Sequence, residues 1–365
     1  MAKPKLALLV NIIAPYRLPV YASIAEHADF KVFYGGSESN RSSWDHSLQG
    51  KGWTSKKSWG FILKIPRKVN GKVFDYRYLQ ITPGFLFDLF AYRPKAIIAN
   101  EMGFRSLVAL LYGFLVRKPV SIWWGGTLHT ERGVGGFKLK LRKFFVRVVK
   151  KWISYGQTST EYLLSLGVPR ERILQIQNCV DESRFGPDLP ALWTEFSPRP
   201  VVLHVGQLIN RKGIDQLLRA AALVQKRGNS FTLLIVGSGP EEATLKQLAE
   251  DLGLVNVQWE AARKPAEMPG VYRSADLLVF PTLEDVWGLV ANEAILSGVP
   301  VLCSDKAGCA PEIADPEMIF DPENTEAFAD RLEAALVKGL QPADPSRLKT
   351  SVEVGHMIYH WAIQK

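Results

Sequence analysis

The sequence predicts an α/β fold of two doubly wound, Rossmann-like domains that face each other across a cleft. Short apolar strands alternate with helical patterns along the 365 residues. Continuous apolar strands of this kind are typical of parallel sheets covered by helices on both faces. A proline-rich stretch at residues 186–199 separates two such series, and the length suits two domains that each bury a core.

The first series predicts an N-terminal domain over residues 1–190. Its first apolar run is short, Asn11 interrupts it, and no small-residue cleavage site follows, so it is interpreted as a buried strand and not as a signal peptide. Helices are expected at Leu18–His27 and Ser159–Leu166. The expected strands are Leu6–Ile12, Phe30–Tyr34, Ala96–Asn100, Pro119–Trp124, Trp152–Tyr155 and Ile173–Ile176.

The second series predicts a C-terminal domain over residues 198–345. A last helix, at about Thr350–Gln364, follows a further proline break and forms a separate segment over residues 346–365. The expected strands of the second domain are Val201–Val205, Thr232–Val236, Val255–Trp259, Leu277–Phe280 and Val299–Ser304.

Composition limits the class of protein. The hydrophobic content of 47% and the 22% of charged residues are ordinary for a soluble globular protein. A net charge of +9 favours anionic partners such as phosphates or acidic lipids. The apolar run at Leu107–Val116 is far shorter than the roughly 20 residues that span a bilayer. Cys179, Cys303 and Cys309 have no metal-type spacing, which argues against a disulfide framework and predicts a cytoplasmic location.

The most informative segment follows the strand Leu277–Phe280. The chain there passes Asp285, turns at Gly288 into a helix that carries Glu293, and ends that helix at Gly298. Unpaired N–H groups at a helix N-terminus can hold a diphosphate or a sugar hydroxyl, and a carboxylate can accept both hydrogens of a ribose diol. The segment therefore predicts a site for a nucleotide sugar.

This segment resembles the signature of the retaining glycosyltransferases of the GT-B fold, family GT4 or glycosyl transferases group 1. In that family an acidic residue is separated by seven others from a Glu, as Asp285 is from Glu293, although Glu is more usual at the first position. The resemblance implies that Glu293 holds the ribose and Asp285 the donor sugar hydroxyls. It also implies that the sugar is oriented by the amides of Val286, Trp287, Gly288, Leu289 and Val290.

A second segment with the same resemblance follows the strand Val201–Val205. The Lys212-Gly213 pair matches the family's Lys-Gly, and Lys212 is expected to hold the diphosphate. Gln207, after Gly206, stands where the family has an Arg, and Arg211 is the candidate replacement. A fixed cation stabilises the charge that grows on a leaving diphosphate. For Arg211 and Lys212, a solvated loop face is the alternative.

Other loops complete the expected donor pocket. The Gly237-Ser238 turn lacks the third Gly of a dinucleotide fingerprint and resembles the GT4 turn that lines the nucleotide pocket. Ala262 and Arg263 lie in the loop that usually faces the base. His129 follows a strand of the first domain, where the resemblance implies a His near the anomeric centre. A plain loop histidine is the alternative.

The resemblance also implies the roles of the three parts of the chain. The first domain would be the acceptor side, the second would hold the nucleotide sugar, and the helix of residues 346–365 would cross back to pack on the first domain.

Residues 137–152 hold seven Lys or Arg and no acidic residue. The pattern predicts an amphipathic helix whose apolar side chains, among them Phe137, Phe144 and Phe145, pack on the sheet. Its basic face is expected to be hydrated or to dock on an anionic membrane surface. His356 and His360 have the spacing of a zinc pair, but no third ligand is evident, so they are interpreted as packing or surface residues.

The predicted function is a retaining, metal-independent hexosyltransferase without cofactors, at the inner membrane face. It would transfer a sugar from a nucleoside-diphosphate sugar, with UDP favoured over GDP, to a hydroxyl of a glycan acceptor, lipid-linked in our expectation. A GT-B sugar-nucleotide epimerase or phosphorylase is the main alternative. An oxidoreductase would need a complete dinucleotide fingerprint, and a nucleic-acid-binding protein would need basic and aromatic residues across one face.

Overall fold

The computed structural model describes residues 2–36, 52–69, 72–338, 341 and 343–364 of the chain. This part of the molecule contains two parallel sheets, each with helices packed on it, and a separate two-stranded hairpin. No helix in the described ranges is long and apolar enough to cross a membrane.

The first sheet has seven parallel strands in the order β3-β2-β1-β6-β7-β8-β9. The six strands predicted for this half are all present, and their ends differ from the predicted ones by at most two residues. The sequence prediction missed β3 and the antiparallel hairpin β4–β5, whose polar residues interrupt the apolar pattern. The strands are β1 (Lys5–Val10), β2 (Asp29–Tyr34), β3 (Trp53–Lys57), β4 (Phe61–Val69), β5 (Lys72–Ile81), β6 (Ala96–Asn100), β7 (Val120–Trp124), β8 (Lys151–Tyr155) and β9 (Ile173–Ile176).

The second sheet has six parallel strands in the order β12-β11-β10-β13-β14-β15. When the six strands are numbered from 1 in chain order, this is the 3-2-1-4-5-6 order of a dinucleotide-binding fold. All five predicted strands are present, and the short β15 at the edge was not predicted. The strands are β10 (Val201–Val205), β11 (Thr232–Val236), β12 (Val257–Glu260), β13 (Leu277–Phe280), β14 (Val301–Ser304) and β15 (Ile319–Phe320).

Helices connect the strands of both sheets. Those of the first half are α1 (Leu18–His27), α2 (Gly84–Tyr92), α3 (Phe104–Val116), α4 (Gly136–Val148) and α5 (Gly156–Ser165). The helices that follow are α6 (Ile214–Lys226), α7 (Glu242–Asp251), α8 (Met268–Arg273), α9 (Leu289–Leu296), α10 (Ala310–Ile313), α11 (Thr325–Val337) and α12 (Ser351–Ile363).

The last helix, α12, lies against α1 of the first half. The hydroxyl of Ser23 donates a hydrogen bond to the carbonyl oxygen of Val352 at 3.0 Å. A Cβ atom on Gly355 would lie 2.5 Å from the Ser23 side chain, so the two helices approach each other closely at this glycine.

The orientation of α4 differs from the prediction. Its buried side chains are Arg142 and Phe145, whereas Phe137 is 80% exposed and Phe144 is 47% exposed. Arg142 is drawn inward because its guanidinium pairs with Glu131 at 2.9 Å and lies 4.3 Å from the ring of Trp124. The predicted apolar stripe therefore lies partly on the surface, beside the basic side chains.

In each sheet the order in which successive strands are added reverses at one point, the topological switch point. It lies between β1 and β6 in the first sheet and between β10 and β13 in the second. The carboxyl ends of the strands at such a switch point form a crevice in which α/β proteins bind ligands. The loops after β10 and β13 are therefore the structural centre of the candidate site.

Candidate active site

The loops after β10 and β13 are joined by hydrogen bonds. The carbonyl oxygen of Arg211 accepts one from the Leu283 amide at 2.9 Å and another from the Thr282 hydroxyl at 3.0 Å. Gly213 has a φ of 65°, and a Cβ on it would lie 2.1 Å from the Pro281 carbonyl oxygen. A glycine is required at this position because both the backbone angle and the space exclude a side chain.

Lys212 and Asp285 form a close ion pair at this junction. The Lys212 Nζ lies 2.6 Å from Asp285 Oδ2, and the two side chains are only 14% and 15% exposed. Arg211 Nη1 lies 3.9 Å from the same oxygen and donates a hydrogen bond to the Glu284 carbonyl oxygen at 3.2 Å. The structure thus gathers two cations and a carboxylate, three of the predicted site residues, at the switch point.

The segment after Asp285 is held by the loop that follows β14. The Gly308 amide donates to the Asp285 carbonyl oxygen at 3.1 Å, and the Cys309 amide donates to that of Trp287 at 3.1 Å. The Trp287 side chain is buried and its Nε1 donates to Asn292 at 2.8 Å, so only its backbone can reach a ligand. Val286 is 40% exposed.

Gly288 makes the turn into α9 with a φ of 109°, and a Cβ on it would lie 2.2 Å from the Phe280 ring. The first-turn amides of α9, at Leu289 and Val290, have no carbonyl partner within the helix. Gly298 ends the helix in the left-handed region with a φ of 77°, as the sequence predicts.

Glu293 is bonded to a tyrosine and not to the cations that pair with Asp285. Its Oε2 accepts a hydrogen bond of 2.6 Å from the hydroxyl of Tyr272, a buried residue of α8. Burial raises the pKa of Glu293 to about 7, against the opposing effects of the Tyr272 hydrogen bond and the Arg184 charge. Its carboxyl group therefore sits in an environment that disfavours its charged form.

The glycine turns after β10 and β11 are in direct contact. A Cβ on Gly237 would lie 1.9 Å from the carbonyl oxygen of Gly206. The Ser238 carbonyl oxygen accepts a hydrogen bond from the Leu208 amide at 3.1 Å, and its hydroxyl accepts one from the Ala262 amide at 3.3 Å. Three predicted loops therefore form one continuous edge of the sheet.

The remaining predicted donor residues are less closely placed. Gln207 is exposed on the first of these loops. The Arg263 guanidinium is bonded to Glu260 and lies 4.9 Å from the Trp193 ring. Arg263 is thus already engaged by protein groups.

His129 lies on the other side of the cleft. It lines a cavity of about 230 Å³ together with residues of both halves, among them Thr158 and Pro311. The Thr158 hydroxyl donates to the Gly308 carbonyl oxygen at 3.0 Å, which joins this side to the loop that holds Asp285. The position of His129 is that of a residue facing the second half.

Sequence reasoning missed a charged cluster at the switch point of the first sheet. The Arg17 side chain donates to the Tyr155 hydroxyl and lies 4.8 Å from the Trp123 ring. Glu101 follows β6 with a φ of 65°, which is rare for a residue other than glycine. Burial raises the pKa of Glu101. The position of Glu101 directly after a buried strand was the available sequence signal.

From the sequence, Trp44, Trp53 and Trp59 are expected either to stack on acceptor sugar rings or to pack in the core, and the two that the structure describes differ in exposure. Trp53 is buried, 5.3 Å from the Tyr21 ring, whereas Trp59 is 63% exposed beside Phe61. The third residue of that expectation, Trp44, lies outside the described residues.

The fold as a whole is shared with solved GT-B glycosyltransferases. The HepE protein of Anabaena, in a crystal structure with UDP and glucose, superposes with a TM-score of 0.65 over 99% of this chain and 95% of that one, at 18% identity. The lipopolysaccharide outer core galactosyltransferase WaaB, in its apo form, gives 0.67 over 98% and 95% at 13% identity. The predicted GT-B fold class is confirmed.

The second half of the chain matches a known family. Residues 190–349 match the family model described as Glycosyl transferases group 1, the family that the sequence motifs resemble.

Curated relatives match a similar share of the chain. The D-inositol 3-phosphate glycosyltransferase of Nocardia farcinica is 34% identical over 47% of this chain and 41% of its own length. A GDP-mannose-dependent alpha-(1-6)-phosphatidylinositol monomannoside mannosyltransferase of Mycobacterium tuberculosis is 33% identical over 43% of this chain and 45% of its own. The chain thus spans less than half the length of these two relatives.

Proposed function

We propose that this protein is a hexosyltransferase that moves a sugar from a nucleoside-diphosphate sugar to a hydroxyl of a glycan acceptor. The observation that carries the proposal is the Lys212–Asp285 pair, 2.6 Å apart at the switch point of the half that matches the glycosyl transferases group 1 family. The pair places a donor of hydrogen bonds for phosphate oxygens and an acceptor for sugar hydroxyls side by side.

In this proposal the bound nucleotide sugar separates the Lys212–Asp285 ion pair and takes up contacts with both side chains. The Lys212 ammonium turns from Asp285 to the diphosphate, and the freed carboxylate accepts hydrogen bonds from hydroxyls of the sugar. As the bond to the anomeric carbon breaks, negative charge grows on the diphosphate, where Lys212, Arg211 and the first-turn amides of α9 stabilise it. These groups supply the positive charge that a metal ion would otherwise give, so we infer a metal-independent transfer.

Glu293 is proposed to hold the ribose, and the turns at Gly206 and Gly237 to hold the nucleotide. A carboxylate can accept both hydrogens of a ribose diol. The absence of side chains at the two glycines lets backbone amides approach the ligand. Retention of the anomeric configuration is proposed from the resemblance of the Asp285–Glu293 segment to the retaining family. The structural neighbour with UDP supports UDP as the carrier, and the GDP-mannose-dependent relative makes GDP the alternative.

The acceptor is proposed to bind on the first half of the protein, opposite the donor. His129 is placed near the anomeric carbon in this scheme. The Arg17–Glu101 cluster at the first switch point offers partly buried polar groups for acceptor hydroxyls.

The test is turnover with a panel of UDP- and GDP-sugars and mass detection of the products, in the presence and absence of EDTA. We expect transfer or slow hydrolysis with a nucleoside diphosphate as leaving group, undiminished by EDTA. We expect Lys212→Ala to lower kcat/KM by about 10²–10³, because it removes a charge that acts mainly in the transition state. Lys226→Ala, an exposed lysine at the far end of α6, is the matched control.

Two outcomes contradict the proposal. Products that are only epimerised nucleotide sugars or sugar phosphates would indicate the alternative GT-B activities. A Lys212→Ala protein with wild-type turnover would show that the ion pair lies outside the reacting site.

We further propose that the surface of α4 docks on an anionic membrane, which would bring the enzyme to a lipid-linked acceptor. The exposed aromatic side chains of Phe137 and Phe144 lie on the same helix as exposed Lys140, Lys143 and Arg147. The outward rotation of α4 supports docking, because it presents apolar and basic groups to the same surface. Exposed Phe114 of α3 and Phe144 border a shared apolar groove.

Sedimentation with phosphatidylglycerol-containing vesicles tests the membrane proposal. We expect binding at low salt that weakens as ionic strength rises and that is lost in a Lys140→Glu, Lys143→Glu, Arg147→Glu variant. The control variant carries the same three charge reversals at Arg219, Lys226 and Lys338 of the second half. Equal loss of binding in both variants would indicate a nonspecific effect of net charge and contradict a docking role for α4.

A further inference from the structure

The contact between α1 and α12 brings together metal-binding side chains that are remote in sequence. Glu26 and His27 are the last two residues of α1, and His356 lies in the second turn of α12. One ligand atom from each of these three residues lies within 4.8 Å of the others. We refer to these three residues as the α1–α12 cluster.

Two of these side chains have nitrogen atoms without a partner. The Nε2 atoms of His27 and His356 are buried from solvent and make no hydrogen bond with the described part of the chain. A buried polar atom without a partner costs free energy, which a bound ion or water recovers. The two rings are 4.7 Å apart between centroids, and the Tyr359 ring stacks on His27 at 5.2 Å.

A carboxylate stands beside the two imidazoles. Glu26 Oε2 lies 3.8 Å from His356 Nε2, which is too far for a hydrogen bond and compatible with a shared ion. Zinc binds His nitrogen and Glu oxygen at roughly 2.0–2.2 Å, so tetrahedral ligand atoms are about 3.3–3.6 Å apart. The three atoms need to close by only about 1 Å, and the Glu26 side chain is 62% exposed and free to move.

We propose that the α1–α12 cluster binds a zinc ion, or a similar divalent transition metal, through His27, His356 and Glu26, with water as the fourth ligand. Two imidazoles and one carboxylate form a set that zinc uses in proteins. The ion would fasten the C-terminal helix to the first half of the protein. This site is separate from the proposed donor site and does not depend on it.

The pair that meets in space differs from the pair that the sequence suggests. His360 has the i, i+4 spacing with His356, yet it is exposed and its ring centroid is 6.4 Å from that of His27. His27 replaces it as the second imidazole because α12 packs on the end of α1. The close approach at Gly355 sets this contact.

The test uses tag-free, chelator-treated full-length protein titrated with Zn²⁺ in a calorimeter, with Co²⁺ absorption as a second readout. We expect one ion per chain, a Tm that rises by several degrees with Zn²⁺ and returns with EDTA, and the visible bands of four-coordinate Co²⁺. Binding of a ligand to the folded state alone raises stability in this way.

Variants assign the ligands. We expect His27→Gln and His356→Gln to abolish the Co²⁺ bands and the Tm shift, and Glu26→Gln to weaken both. His360→Gln, one turn away on the same helix, is the matched control and should bind as the wild type. Since Glu26 and His360 are exposed, their variants are informative even if substitution of His27 or His356 unfolds the protein. Absence of stoichiometric binding, or equal binding by all four variants, would overturn the proposal.

Discussion

At the scale of single residues, the candidate site contains carboxylates in two different environments. Asp285 is paired with Lys212, whereas Glu293 is partly buried and bonded to Tyr272. The motif spacing predicts both acidic positions, and their partners come from other parts of the chain. The environment of Glu293 lowers the free energy of unfolding when its carboxyl group is charged, and this loss can be measured in the absence of ligand.

We expect Glu293→Gln to stabilise the free protein at high pH. The pKa of Glu293 is raised from 4.5 to about 7, so between these values the folded state binds more protons than the unfolded state. The free energy of unfolding therefore falls as pH rises through this window, by up to about 3 kcal/mol in total. A neutral Gln avoids this loss of stability. The Tm of the Glu293→Gln variant should therefore exceed that of the wild type at pH 8, by an amount that shrinks toward pH 5.

A Tm series over pH 5–8, combined with nucleotide titration, tests this expectation. Nucleotide affinity should fall in Glu293→Gln although its stability rises, because the ribose loses its carboxylate acceptor. Tyr272→Phe is the contrasting variant: it removes a hydrogen bond that favours the charged form and should lower Tm more at pH 8 than at pH 5. A Tm gain in Glu293→Gln that is independent of pH would refute the linkage.

At the scale of elements, close contacts between turns determine the shape of the nucleotide side. The turns after β10 and β11 touch at Gly206 and Gly237, and the turns after β10 and β13 touch at Gly213 and Pro281. The glycines are visible in the sequence, but their contacts are between segments remote in the chain.

We expect Gly237→Ala to separate the β10 and β11 turns. A methyl group 1.9 Å from the Gly206 carbonyl oxygen forces backbone movement. This movement should cost about 1–3 kcal/mol of stability and should also weaken nucleotide binding. Gly186→Ala is the matched control, because a Cβ there meets nothing within 4 Å. Denaturant titration and nucleotide binding measure both effects. Equal behaviour of the two variants would contradict the role of the contact.

At the scale of the whole molecule, the two halves meet at the N-terminus of α5. Gly156 has a φ of 68°, and a Cβ on it would lie 2.4 Å from the Trp287 ring and 2.3 Å from Glu312 Oε1. The Gln157 amide donates to the same Glu312 oxygen, so this contact joins the first half to the loops that hold Asp285.

We expect Gly156→Ala to disturb the arrangement of the two halves and to reduce turnover. The added methyl group meets side chains of the second half, so the cleft has to open to admit it. Gly167→Ala has a comparable positive φ of 91° but meets nothing within 4 Å, and it controls for backbone strain. Small-angle scattering and kcat/KM compare the two. If Gly167→Ala changes both quantities as much as Gly156→Ala, strain and not the contact is responsible.

The sequence alone determined the fold class and most strands, because apolar runs and glycine turns act over a few neighbouring residues. It also placed Lys212, Asp285 and Glu293 on the loops and helix where the structure has them. Tertiary structure decided which of these side chains meet, since pairs such as Glu293 with Tyr272 depend on packing between elements. Tertiary structure also set the orientation of α4, through the ion pair of Arg142 with Glu131, and brought His27 beside His356. Contacts between distant segments have no local periodicity, so no window of the sequence reveals them.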